Sequence, residues 1–391
     1  MTHWLAHSVE IVTTILTLAG MGYFVAAMVA AQVFLVARRR PVAAYAPGVT
    51  ILKSLKGLDP GMIDAFRSHC RQTYTGEYEL LFGVSSLADP AVAAVDQLKA
   101  EFPERTIRLV ECPERLGTNG KVSTLVQLAS NAQHQYLLIN DSDITVSKRY
   151  LERVMACFAP ATGGKAKPVG LVTALYRGRA HGTLPSLFEA LGIATDFQAG
   201  VLLSKMIEGG LHYGLGSTLA VSREALEKAG GLDALLDHLA DDYELGARVD
   251  AAGYSIALSA EVVETGVPPY RWQGFVDHQL RWARTVRDAR PGGYIGLVFT
   301  HGLAWAMLNV LASGLSPVSL WLLALSFFLR LSLAMMVGAQ ALGDHQVLPA
   351  LWLLPFRDLV AMANWAAGFA GNTIVWRGQR FSLSKGKLTA V

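Results

Sequence analysis

The segment Tyr136-Leu137-Leu138-Ile139-Asn140-Asp141-Ser142-Asp143 decides how the middle of this chain folds. Its apolar run is too short for a helix and is followed at once by turn-forming residues, which predicts a buried strand ending in a loop. Two carboxylates at i and i+2 just past such a strand, Asp141 and Asp143, can reach one hard divalent cation and, through it, a diphosphate. The same residues could instead serve as an ordinary strand-to-helix turn, with Asp or Ser capping the next helix.

Outward from this point the chain alternates short β-rich runs with helical stretches. Strands are predicted at Val49 to Leu52, Tyr78 to Val84, Ile107 to Val110, Gly170 to Leu175 and Ser217 to Val221. Amphipathic helical patterns run over Ala91 to Glu101, Val122 to Ala132 and Arg149 to Phe158. This alternation predicts an α/β domain with a mostly parallel sheet over residues 41–290, whose ligands sit at the carboxyl ends of the strands.

The composition sets limits on the rest. Of the 391 residues only 17% are Asp, Glu, Lys or Arg and 52% are hydrophobic, whereas soluble domains carry about a quarter charged residues. The apolar excess lies at the two ends. Ile11 to Val36 is 26 residues without a charge or histidine, enough to cross a hydrocarbon core of about 30 Å. The competing expectation, a signal peptide cut near Val29-Ala30-Ala31, conflicts with the length of the apolar run and with basic residues that follow rather than precede it. Arg38, Arg39 and Arg40 place the following domain in the cytoplasm and residues 1–10 outside.

Between Gly292 and Trp376 only Arg330, Asp344, Arg357 and Asp358 carry charge. Three apolar segments are expected near 293–312, 317–340 and 348–376, giving two or three membrane helices in a region spanning 291–376. The first, or the last with its Pro355, is a candidate for an interfacial or re-entrant piece. A basic tail of residues 377–391, with Arg377, Arg380, Lys385 and Lys387, follows. Three scattered cysteines exclude a disulfide framework or a paired-cysteine zinc site. A net charge of +3 offers no nucleic-acid footprint.

Four further places could carry chemistry. Asp89, in Leu87-Ala88-Asp89-Pro90, can accept hydrogen bonds from a nucleobase or ribose, or simply cap the helix that Pro90 begins. Gly117-Thr118-Asn119-Gly120-Lys121 lacks the first glycine and the final Ser/Thr of a phosphate loop, which disfavours an ATPase. Lys121 could still meet a diphosphate as a point charge. Asp241-Asp242-Tyr243-Glu244 opens a helix, where acids either complement the helix dipole or, in a site, act as a general base. His278-Gln279-Leu280-Arg281-Trp282, with Arg284 and Arg287 after it, reads as an interfacial anchor or as a group that neutralises a departing diphosphate and offers a flat apolar wall.

Taken in order, these residues resemble the ceramide glucosyltransferase family of membrane glycosyltransferases. The resemblance runs from Leu52-Lys53-Ser54-Leu55-Lys56-Gly57 through Ala88-Asp89-Pro90, Gly117-Thr118-Asn119-Gly120-Lys121, Asp141-Ser142-Asp143 and Asp241-Asp242-Tyr243 to Arg281-Trp282, about residues 45–290. It implies a GT-A fold. It also implies that Lys53, Asp89, Asn119, Lys121, Asp141 and His278 hold a UDP-sugar, that Asp141 and Asp143 hold Mg2+ or Mn2+, and that Asp242, with Arg281 and Trp282, performs catalysis. The family's closing motif usually starts with Gln or Arg where this chain has His278.

Within the family the chain is most similar to a bacterial branch associated with hopanoid biosynthesis. That similarity implies an inner-membrane enzyme moving N-acetylglucosamine from UDP-GlcNAc to a hopanoid such as bacteriohopanetetrol, by an inverting displacement. The alternatives are a ceramide glucosyltransferase using UDP-glucose and a non-catalytic membrane sensor of nucleotide sugars. A processive polysaccharide synthase is disfavoured by the small number of apolar helices. Leu184 to Leu203, interrupted by Glu189, Asp196 and Gln198, is expected either to form an amphipathic surface near the acceptor entrance or to be a core helix.

Overall fold

The computed structural model describes residues 2–160, 167–376 and 379–390; Arg377 of the basic tail lies outside them. The chain forms two compact units: one contains residues 38–179, 208–268 and 386–391, the other residues 1–37, 180–207 and 269–385. Composition alone draws the soluble region as 41–290, whereas residues 180–207 and 269–290 pack with the apolar helices. Glu189 and Asp196 in the first and the Arg and His residues of the second interrupt their apolar runs.

In the first unit seven strands form one sheet: β1 (Val49–Ser54), β2 (Tyr78–Val84), β3 (Thr106–Glu111), β4 (Tyr136–Ile139), β5 (Val169–Ala180), β6 (Leu219–Ser222) and β7 (Ser255–Val267). Their spatial order is β3-β2-β1-β4-β6-β5-β7. β1 pairs parallel with β2 and with β4, and β2 parallel with β3, while β6 runs antiparallel to β4 and β5. Ile51, Leu52, Leu80, Leu81, Phe82, Leu137 and Leu138 are buried throughout, as expected for parallel strands covered on both faces.

This pairing sets the location of the polar loops. The carboxyl ends of β1, β2 and β4 share one edge, and antiparallel β6, with Leu219 opposite Ile139, begins at that same edge. The loops after Ser54, Val84 and Ile139 and the loop before Leu219 therefore converge.

β7 was not expected from the sequence. Its two faces alternate in burial, and its Glu261 and Glu264 pair with Arg153 and with Arg177 and Arg179, so its residues read as polar. Cys70, Cys112 and Cys157 are free thiols.

The second unit is helical. Four helices are long and apolar enough to cross a membrane: His7–Arg38, Leu184–Ile207, Pro317–Ala341 and Val347–Gly368. The segment near 293–312 is a pair, Pro291–Thr300 and Gly302–Ala312, bent by 58°, which fits a broken or re-entrant piece. The last segment is shorter than the expected 348–376: its helix stops at Gly368, and Thr373–Trp376 pairs antiparallel with Gln379–Ser384. Gly371, at φ 72°, makes the turn between them, a conformation glycine adopts without the steric cost of a Cβ.

The N-terminal helix touches the broken pair at glycine: a Cβ on Gly20 would lie 2.2 Å from the Gly302 Cα. Thr13 and Thr14 both donate to Asn309 Oδ1 at 3.0 Å. Small residues and interhelical hydrogen bonds are how helices associate in lipid, where apolar burial supplies little drive.

The Leu184–Ile207 segment is mostly buried, which makes it a core helix rather than an amphipathic surface. It carries a π-helical turn at Ile193–Phe197. Arg330 donates to both carboxylate oxygens of Asp358 at 2.8 Å and to the Thr195 carbonyl at 3.1 Å, joining that turn to the helices Pro317–Ala334 and Leu354–Gly368.

Candidate active site

The end of β4 is fixed by Asn140, 1% exposed. Its amide donates to the Tyr150 hydroxyl (3.0 Å) and the Ser217 carbonyl (2.6 Å), and its oxygen lies 3.2 Å from His69 Nε2. Burial, with Lys53 nearby, pushes the His69 imidazole down to about 3, so the ring is neutral and structural. Lys53 is fully buried and donates to the Asp141 carbonyl at 2.9 Å. Burial lowers its ammonium to about 7 against the opposing pull of Asp143 and Asp141. The geometry thus makes Lys53 a support for the Asp141 main chain.

Asp141, freed of strand pairing, meets Lys121 Nζ at 2.8 Å, and the same ammonium lies 3.4 Å from Asp241. Burial opposes the charge on Lys121, but Asp141, Asp241 and Asp242 outweigh it and hold its pKa above the ordinary value. Lys121 is placed by Asn119, whose side chain accepts from the Lys121 and Val122 N–H groups at the start of the helix Gly120–Asn131. The Asn119 amide also donates to the His238 carbonyl at 2.8 Å. It therefore shapes the loop as an N-cap.

Asp143 is held from the other side, accepting from Thr265 Oγ1 at 2.6 Å and the Gly266 N–H at 2.9 Å. Burial, then the charge of Asp141, raises its pKa.

Asp242 lies in the first turn of the helix Asp241–Ala251. Burial, followed by Asp241, raises it to about 6, with Lys121 pulling the other way. The helix approaches the loop before β6 at glycines: a Cβ on Gly216 would sit 2.9 Å from Asp242 Oδ2, and a Cβ on Gly246 would sit 2.2 Å from the Gly214 N.

Asp141, Asp143, Asp241 and Asp242 thus gather around Lys121 and Lys53 at one edge of the sheet. Asp89 lies apart. Its carboxylate grips the Gly57 N–H with both oxygens (3.0 and 3.1 Å) and the Ala91 N–H at 2.9 Å. Among the described residues it makes no hydrogen bond or ion pair with the other four acids. It ties the loop after β1 to the helix Ala91–Glu101.

His278, Arg281 and Trp282 lie on the helix Trp272–Ala289 of the second unit. Within that unit His278 Nδ1 is 3.0 Å from Glu189 Oε1, and Gln279 donates to Glu189 Oε2 at 2.7 Å. Tyr270 stacks on the His278 ring, and Trp282 packs edgewise on Phe197. Arg284 and Arg287 bind carbonyls at the end of the last apolar helix, at Ala370 and Gly368, so they act as caps for it.

The donor set suits a hard cation in part. Among the described residues no three His, Cys, Asp or Glu groups meet in metal-binding geometry. Asp141 and Asp143 supply two hard carboxylates, and the raised pKa of Asp143 marks a like-charge cost that a cation would remove. Such an ion would take its remaining ligands from substrate and water.

Sequence reasoning missed His69, Thr265 and Gly266. None lies in a motif, and β7, which delivers the last two, was itself unexpected.

The comparisons with known proteins agree with this architecture. Ceramide glucosyltransferase 3 of Caenorhabditis elegans is 24% identical over 366 residues, covering 87% of this chain and 73% of the relative. Ceramide glucosyltransferase 1 of the same organism is 24% identical over 351 residues, covering 87% and 72%. A mannosyltransferase from Pyrobaculum calidifontis, solved in complex with GDP-Man and Mn2+, superposes with a TM-score of 0.52 at 19% identity, covering 92% of this chain and 97% of that one. That likeness shows the GT-A fold. The model of glycosyl transferase family 21 matches residues 12–389, and the chain belongs to that family.

Proposed function

We propose that this protein is a membrane-bound inverting glycosyltransferase that moves glucose from UDP-glucose to a hydroxyl of a ceramide-like lipid. The observation that carries the mechanism is Asp242, a carboxylate raised to about 6 in a helix start beside Lys121 and Asp141. A base of that basicity is largely ionised at neutral pH yet basic enough to take a proton from an attacking hydroxyl. Lys121 offers positive charge to the diphosphate, and Asp141 and Asp143 would hold a divalent ion. That ion, Mg2+ or Mn2+, would supply Lewis-acid stabilisation of the leaving UDP. His278 takes the place of the family's usual Gln or Arg, with Glu189 holding its Nδ1 side. Asp89 and Asn119 shape the loops that receive the nucleotide. The sheet unit faces the cytoplasm of a bacterial inner membrane, where UDP-sugars are found, and the acceptor stays in the bilayer.

The names of the relatives favour the ceramide acceptor over the hopanoid acceptor and UDP-GlcNAc. The test is to incubate the membrane-embedded protein with UDP-glucose or UDP-GlcNAc and with ceramide or bacteriohopanetetrol, followed by mass analysis. The expected product is a monoglucosylated ceramide. Transfer only to the hopanoid would overturn the acceptor assignment, and UDP-sugar binding without transfer to any lipid would favour the sensor.

A further inference from the structure

The membrane unit contains polar atoms that its own structure leaves unanswered. The Tyr23 hydroxyl and His301 Nε2 are buried and have no hydrogen-bond partner among the described residues. Both interact electrostatically with Asp196, a partly exposed carboxylate that makes no hydrogen bond among the described residues. In a lipid environment no water answers such a group, and ionisable groups there mark functional sites.

Two of the three sit where the helical ladder is interrupted. Asp196 lies in the π-helical turn Ile193–Phe197, a feature that recurs at functional sites. His301 lies at the break between the two arms of the bent pair. One turn beyond Asp196 is Gly200, where a Cβ would lie 3.8 Å from the Tyr23 hydroxyl, so that buried hydroxyl packs against the helix just past the π-turn. Of the cations bordering the group, Arg330 is already committed to Asp358 and Thr195, and Arg357, which also acts on His301, donates to the Phe188 carbonyl at 2.9 Å.

We infer that Asp196, Tyr23 and His301 form a binding site for the neutral, hydroxyl- or amide-bearing head of a membrane lipid. A hydroxyl or amide N–H can donate to Asp196, while the ligand's oxygen accepts from Tyr23 or His301. The Asp196 carboxylate disfavours an anionic head, and the nearest cation, Arg330, is neutralised by Asp358. The identification of this lipid as the acceptor rests on the proposed glycosyltransferase function; the binding itself does not.

The experiment uses the full chain in phosphatidylcholine nanodiscs, with a fluorescent short-chain ceramide as the binding probe and no nucleotide sugar present. Asp196→Asn is expected to raise the probe Kd about 10-fold. Tyr23→Phe, which removes one oxygen and tests the site should Asp196→Asn misfold, is expected to raise it about 3-fold or more. Acceptor KM should rise by the same factors with UDP-glucose affinity unchanged. Probe Kd values within 2-fold of wild type in folded variants would overturn the site, as would tighter binding of ceramide 1-phosphate than of ceramide. If no lipid is glucosylated while the Kd shifts appear, the proposed function fails and the site stands. If transfer proceeds with unshifted Kd values, the site fails and the function stands.

Discussion

The acids of the sheet unit and the polar groups of the membrane unit are handled in opposite ways. Asp141 and Asp241 each meet Lys121 within 3.4 Å, Asp143 is held by Thr265 and Gly266, and Asp242 accepts the Tyr243 N–H. In the membrane unit, Arg330 and Asp358 satisfy each other, yet Tyr23 and His301 leave buried atoms unpaired among the described residues. Fixed carboxylates suit chemistry on a charged donor, since charges already in place need no reorganisation when the leaving group departs. Buried polar atoms left without a partner among the described residues suit a neutral ligand that completes them.

The contrast breaks first at the buried ion pair. Asp358→Leu leaves Arg330 charged and unpaired in a site where both residues are less than a tenth exposed, and the expected loss is about 3–5 kcal/mol of stability. Thermal unfolding in detergent reads it. The double variant Arg330→Met with Asp358→Leu should recover most of the loss, and equal destabilisation of single and double variants would show that charge pairing is not the cause.

A smaller effect is expected at Lys121→Met, which removes the cation between Asp141 and Asp241. UDP-glucose KM should rise about 10- to 100-fold, on the scale of one charge-assisted contact, with acceptor KM unchanged. An unaltered donor KM would assign Lys121 to holding the acids rather than the diphosphate.

The smallest effect concerns pH. The pKa of Asp242 in the fold is raised to about 6, above the ordinary aspartate value of about 3.9, so the folded state binds this proton more tightly than the unfolded chain does. Its ionisation therefore disfavours the fold above about pH 6, and that penalty disappears as pH falls through 6 toward 4. Asp242→Asn should stabilise the protein at pH 7.5 by on the order of 1 kcal/mol and should lose that advantage near pH 4. A destabilised variant at pH 7.5 would contradict the buried-charge account.

The same contrast explains what the sequence could disclose. The acids of Asp141-Ser142-Asp143 and Asp241-Asp242 were legible because a short apolar run or a helix start sets them apart, and parallel pairing then brings those ends together. Lys53 and Asn119 were legible as motif members, but their roles as supports follow from burial and from backbone partners that only the fold supplies. β7 escaped because Glu261 and Glu264 are neutralised by arginines remote in sequence. The pairing of His278 with Glu189 escaped because an acid inside an apolar run carries no periodic signal that names its partner. Hydropathy extends the last apolar segment over residues 369–376, since it does not register the turn that Gly371 makes.

The central claim is that Asp242 is the base in a cluster otherwise devoted to holding UDP-sugar. Purified wild-type protein and Asp242→Asn should be compared for glucosyl transfer to ceramide and, by calorimetry, for UDP-glucose binding in the presence of Mn2+. The account predicts transfer lowered by about 10²- to 10⁴-fold with UDP-glucose affinity within about 3-fold of wild type. Wild-type turnover in Asp242→Asn would contradict it.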